Sequence, residues 1–258
     1  GQATLTSSSS LSASAMMQLA SFSNWDVADT GGSGAVWRIY EGHAAPLLTS
    51  FMTHLVVTAN DVATTYNGTA YTGGAGYTFG SLTPSQWLPS TSVDSSLLYG
   101  QIKTAAPAIN AGSYLLNGGL YSGQQGYDVT VVAGTLTIDR ATLTLNGLSA
   151  TDKTYDASAI AAATGTLSGV FGSDDVDATL AASFADKNAG TGKTVTVDGI
   201  TLGGADGGNY VIAAGQTTTA DIAKRAIIVG ATGTDRVYDG TKTDAVSLAT
   251  TGILGGDT

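Results

Sequence analysis

The 258-residue chain has no cysteine, so neither a disulfide framework nor a thiolate zinc site can hold it together. Charge is also scarce: Asp, Glu, Lys and Arg make up 12% of the residues, with 20 acidic against 10 basic, a net charge of −10. That balance lacks the basic face needed to displace counterions from nucleic acid. It offers no attraction to an anionic membrane surface either. No stretch reaches the roughly 18 apolar residues of a spanning helix, so membrane insertion is not expected. The apolar stretch from Leu11 to Phe22 lacks a basic leader and is interrupted by serines, unlike a secretory signal. His43 and His54, the two histidines, have no acidic pattern around them that would build a zinc site. There is no Gly-x-Ser-x-Gly elbow for a nucleophile. Gly190-Thr-Gly-Lys-Thr194 imitates the end of a phosphate loop, but Lys187 stands where that loop needs glycine and Val195-Thr-Val197 reads as strand. Neither catalysis nor nucleotide binding is expected.

What is present is small residues, 35 of them glycine, and a short phrase written three times. It reads Thr65-Tyr-Asn-Gly-Thr69, Thr154-Tyr-Asp-Ala-Ser158 and Val237-Tyr-Asp-Gly-Thr241, with successive tyrosines 89 and 83 residues apart. That period exceeds solenoid repeats of roughly 20–50 residues, so each unit should own a core. A second phrase keeps step: Asn110-Ala-Gly112 and Asn188-Ala-Gly190 follow their tyrosines by 44 and 33 residues. The difference of 11 falls around Trp87, between Pro84 and Pro89.

From Leu55 onward apolar residues alternate with threonine, as in Leu136/Ile138, Leu143/Leu145 and Val195/Val197. Period-two alternation with β-branched residues on the wet face predicts half-buried strands separated by glycine turns. The expected architecture is all-β. Small antiparallel β-sandwich (Ig-like) modules stand in a row, with β-grasp-like modules as the alternative. Residues 1–53 form a mixed cap carrying Trp25 and Trp37, with a short helix over Leu11–Ala20. The modules occupy 54–140 and 141–225, and 226–258 begins a third that the chain truncates. After residue 53, Ala159–Ala163 is the one piece with helical character.

In the repeated phrase, Tyr66, Tyr155 and Tyr238 read as aromatic plugs beneath tight turns made with Asp156, Asp239 and Gly240. The competing reading has the tyrosines, Tyr66 included, stack on sugar rings. Trp87, on a loop beside a rigid scaffold, is the foremost candidate for ligand contact, the alternative being a Trp that closes the module's open end. Asp174, Asp175 and Asp177 form the densest carboxylate cluster. They are candidate Ca²⁺ ligands, against the plainer reading of solvated turn carboxylates. Lys153, Lys187 and Lys193, near Asn and Asp, raise an internal Lys–Asn weld as a further way to stiffen a module.

The Tyr-Asp-Gly-Thr phrase resembles the YDG and MBG modules of bacterial haemagglutinin-like adhesins. The second module carries more of that pattern in Thr166-Leu-Ser-Gly-Val170, Gly172-Ser-Asp-Asp-Val176, Phe184-Ala-Asp-Lys-Asn-Ala-Gly190 and Asn209-Tyr210. Phe22-Ser-Asn-Trp25 and Trp37-Arg-Ile-Tyr-Glu-Gly42 before Pro46-Leu47 look like the end of a GLUG-type repeat. The resemblance implies a large secreted surface protein of a Gram-negative bacterium, of the filamentous haemagglutinin type exported by two-partner secretion. This segment would serve as a spacer that projects a binding region. Its partners would be host or matrix glycans or proteins met through the parent protein, with homotypic contacts between copies. The alternative role is a glycan- or matrix-binding module that uses the Trp87 loop. The pattern carries no catalytic residue and no cofactor. Asn67 and Ala157 depart from it.

Overall fold

The computed structural model describes residues 11–85 and 91–255. The chain is all-β and divides into two compact units, Gly1–Arg140 and Ala141–Thr258. Among the described residues no helix is long and apolar enough to cross a membrane.

The first unit opens with 3-10 turns over Ala15–Met17 and Leu19–Phe22 in place of the expected helix. The Ser12 hydroxyl takes the Ala15 N–H, a local bond that competes with helix propagation. So short a segment also gains too few bonds to offset nucleation. A three-stranded sheet of two-residue strands follows, with Trp37–Arg38 at its centre. Phe22, Trp25 and Trp37 pack in succession with tilted rings, 5.2 Å between centroids.

Beyond this cap, Thr53–Ala59 is the central strand of a three-stranded sheet. It pairs antiparallel with Tyr77–Thr83 and parallel with Tyr127–Val132. A four-stranded sheet runs in the order Val62–Thr65, Gly134–Asp139, Gly112–Ser122, Leu98–Thr104, its first pair parallel. The alternation read from sequence becomes burial: Leu55, Val57 and Ala59 face the core with Leu136, Ile138 and Leu116.

The second unit repeats this order. Ala141–Ala150 is central in a three-stranded sheet, antiparallel to Ala163–Ser168 and parallel to Tyr210–Ile212. A five-stranded sheet runs Lys153–Thr154, Thr217–Ala223, Gly190–Gly203, Asp177–Phe184, Ile160–Ala161, again with its first pair parallel. Phe184, Val195, Val197 and Ile222 centre the core, and Leu148, Ala150 and Ala163 of the three-stranded sheet pack against it. Alanines 161, 182 and 220 in that core keep it thin. A separate hairpin, Ile228–Gly233 with Val246–Thr251, ends the chain with every strand residue exposed.

Two expectations need correction. The sheets are mixed, because in each unit the first strands lie parallel beside the last ones. Alternation patterns report which face is wet and carry no sign of strand direction. Ala159–Ala163 is not helical. Ile160 and Ala161 join the edge of the five-stranded sheet opposite Ser183 and Ala182, where an available ladder outweighs a weak alanine preference in so short a run.

Candidate functional site

The repeated phrase folds into the same turn three times, for a reason written in its residue types. The Asn67 Oδ1, Asp156 Oδ1 and Asp239 Oδ1 each accept two bonds, from the backbone N–H and from the hydroxyl of the residue two positions on. Those residues are Thr69, Ser158 and Thr241. The residue between adopts positive φ: 76° at Gly68, 66° at Ala157 and 76° at Gly240. All three copies thus share an Asx side chain, a left-handed residue, which glycine adopts freely and Ala157 at a cost, and a Ser/Thr hydroxyl.

A cation braces the turn where the Asx residue is charged. Lys153 Nζ reaches Asp156 Oδ1 at 2.8 Å and also donates to the Ser158 and Ile160 carbonyls. Arg236 Nη1 meets both Asp239 oxygens at 2.8 Å. The first copy has Thr64 at the corresponding position and neutral Asn67 in the turn. The substitution of Asn for Asp thus coincides with loss of the cation. The Lys153 ammonium, helped by the Ser158 N–H, holds the Asp156 carboxyl down at about 2.

In the first two copies the tyrosine hangs from the last strand of its module. Tyr66 N–H donates to the Asp139 carbonyl (2.8 Å), and Tyr155 N–H donates to the Ala223 carbonyl (2.9 Å). In the second unit this brings Tyr155 beside the Asn188-Ala189 phrase, with Lys224 and Arg225 just past the strand end. Together with Ile227 they line an open cleft of about 470 Å³. In the first unit Tyr66 faces only about 30 Å³ of space, shared with Tyr71 and Ile109.

Tyr66, expected as a possible sugar platform, is 3% exposed and has no ring face to offer, which corrects that reading. Tyr155 is half-buried, and Tyr238 is 91% exposed on the terminal hairpin's loop. Trp87 lies outside the described residues. Of the candidate calcium ligands Asp174, Asp175 and Asp177, the first two are engaged by protein groups. Asp174 accepts from the Tyr210 hydroxyl (2.5 Å), and Asp175 accepts from Ala205 N–H while its own N–H donates to Asp206. These bonds pin two loops together. Among the described residues no group of three His, Cys, Asp or Glu is placed to hold a metal ion. Of the lysines considered for a weld to Asn, Lys153 and Lys193 place their ammonium groups on oxygens of the Asp156 turn and on Asp186. His43 stacks on Tyr121, and His54 bonds Thr130, so the two histidines serve separate places.

Sequence reasoning missed a buried polar knot in the first unit. Arg38 Nε lies 3.1 Å from Asp128 Oδ1 with both side chains buried, too far out of line for a hydrogen bond, so the contact is electrostatic. The guanidinium lies 4.2 Å from the Tyr40 ring centroid, and Asp128 Oδ2 accepts from Gly32 N–H. The Tyr40 hydroxyl donates to the Tyr127 carbonyl and accepts from Val129 N–H. Burial pushes that phenol up to about 12. The available signal was Arg38 itself, a charge set inside the apolar run Trp37-Arg-Ile-Tyr40.

Residues 139–220 match the family model of the YDG domain, so the chain contains a YDG domain over this stretch. The match spans the second module from the end of its predecessor's last strand into Thr217–Ala223. No curated protein and no solved structure gives a significant match.

Proposed function

We propose that this chain is a load-bearing spacer in a large secreted bacterial adhesin of the filamentous haemagglutinin type. Its β-modules repeat in series to carry a binding region away from the cell. It acts without catalysis, and its role in attachment or biofilm is mechanical.

The observation that carries this reading is the parallel pairing of first and last strands in each module. In the first, Thr53–Thr58 pairs with Tyr127–Val132 and Val62–Thr65 with Leu136–Asp139. In the second, Ala141–Leu143 pairs with Tyr210–Ile212 and Lys153–Thr154 with Ile222–Ala223. Tension applied at the two ends of a module pulls such strands in opposite directions along their length. The bridging hydrogen bonds are then loaded together, in shear, instead of opening one at a time. The thrice-written turn and the YDG domain support the reading by suggesting serial modules.

Single-molecule extension of the whole chain tests it. Expected are discrete rupture events, each releasing about 280 Å of contour for a module of roughly 84 residues. Smooth extension without rupture peaks would remove the mechanical role.

A further inference from the structure

We propose that the cleft beside Tyr155 binds a carboxylate-bearing sugar ring. The proposal is separate from the load-bearing role: Tyr155 and Lys224 directly follow the parallel ladder of Lys153–Thr154 with Ile222–Ala223, but the groups offered to a ligand are side chains outside that ladder's hydrogen bonds.

Charge is the first observation. The chain carries a net charge of −10, yet among the described residues no Asp or Glu lines this cleft, while Lys224 and Arg225 both do. Neither makes an ion pair among the described residues. The carboxylates closest in sequence to the cleft's phrases are engaged elsewhere, Asp156 by Lys153 and Asp186 by Lys193 at 2.5 Å. Two cations without carboxylate partners among the described residues, lining one concavity of an acidic chain, select for an anion.

The chemistry of the walls narrows the anion. Arg225 Nε donates to the Gly252 carbonyl at 2.9 Å, which fixes the guanidinium plane and leaves its two terminal amino groups for a bidentate partner. That geometry fits a carboxylate. The half-buried Tyr155 supplies an aromatic wall, with the Lys187 ammonium 6.0 Å from its ring centroid. Asn188, whose backbone N–H is held by Asp186 at 2.7 Å, presents an amide that can serve ring hydroxyls as donor and acceptor. Ile227 and Ile253 close the rim with apolar surface. At about 470 Å³ the cleft lies within the size range of small-ligand sites and suits one sugar ring. A bare inorganic anion would leave the aromatic and aliphatic walls without a partner, and a neutral sugar would leave both cations without one.

Sodium glucuronate is the probe, titrated into the whole chain and followed by amide chemical shifts. Glucose supplies the ring without the charge, and acetate supplies the charge without the ring. Saturable shifts at Asn188 and Lys224 with glucuronate are expected, with glucose and acetate each about tenfold weaker or worse. Lys224 is exposed, so Lys224→Gln should leave the fold intact. It should weaken glucuronate about two- to fivefold, the worth of one exposed charge pair, and Lys224→Arg should restore it. Affinity should fall as salt rises. Absence of saturable binding, acetate binding as tightly as glucuronate, or indifference to Lys224→Gln would each overturn the proposal.

Discussion

Ala157→Gly should make this protein more stable, although it removes a side chain and deletes no strain visible as a clash. Ala157 occupies the left-handed position of the second turn at φ 66°, where the other copies place glycine at 76°. A Cβ in that region costs an L-residue roughly 1–2 kcal/mol. Glycine has more chain entropy to lose on folding, which returns about 0.4–1 kcal/mol. The half-buried methyl contributes a few tenths of a kcal/mol more in favour of alanine. The net expectation is a gain of about 0.5 kcal/mol in the second unit. In urea, with m near 2 kcal/mol/M, the transition that reports this unit should move up by about 0.3 M at constant m. Gly68→Ala in the first unit is the mirror experiment, and it should lower that unit's midpoint by at least as much. An unchanged or lowered midpoint for Ala157→Gly would show that the methyl's contacts outweigh its backbone conformation and would refute the account of the turn.

Tyr40 gives an alkaline limit: its folded phenol is raised by burial to about 12 from an ordinary 10, so its contribution is fully present below pH 10 and is lost as pH rises through 12. Urea unfolding across that window should show a loss of roughly 3 kcal/mol, and Tyr40→Phe should flatten the dependence. Asp156 acts with the opposite sign. Held at about 2 from 3.8 by Lys153, it favours the fold above 3.8, and that contribution is lost as pH falls through about 2. Asp156→Asn, which retains the turn's acceptor, should flatten the acid limb of the second unit in the same assay. Arg38→Met leaves Asp128 buried without its counter-charge and should cost about 3–5 kcal/mol in chemical unfolding, whereas Arg38→Met with Asp128→Leu should recover most of the loss. In extension experiments the second unit should rupture at lower force than the first. Its parallel ladders hold three and two residue pairs, against six and four in the first unit.

The all-β character was legible in the sequence because period-two alternation is a local property. Each Leu, Val or Ile in Thr53–Ala59 or Gly134–Asp139 reports its own face. The thrice-written turn was legible for the same reason: Asp156, Ala157 and Ser158 interact over two residues of separation, and their chemistry survives in any fold. Even the bracing cation three positions before the acid, Lys153 or Arg236, could have been read from the chain. Strand direction could not. Whether Tyr210–Ile212 lies parallel or antiparallel to Ala141–Leu143 depends on how about 60 intervening residues are routed, and no local pattern encodes that. The burial of Tyr66 and exposure of Tyr238 likewise follow from what packs on each turn, since the phrase itself is nearly the same. Tyr155, Asn188 and Lys224 become neighbours only because a parallel ladder sets Tyr155 on the Ala223 carbonyl. Element type and the turn rest on contacts a few residues long, which the amino-acid order alone encodes. The tertiary structure alone decided direction, burial and the cleft, because each depends on which distant strand occupies the adjacent hydrogen-bonding edge.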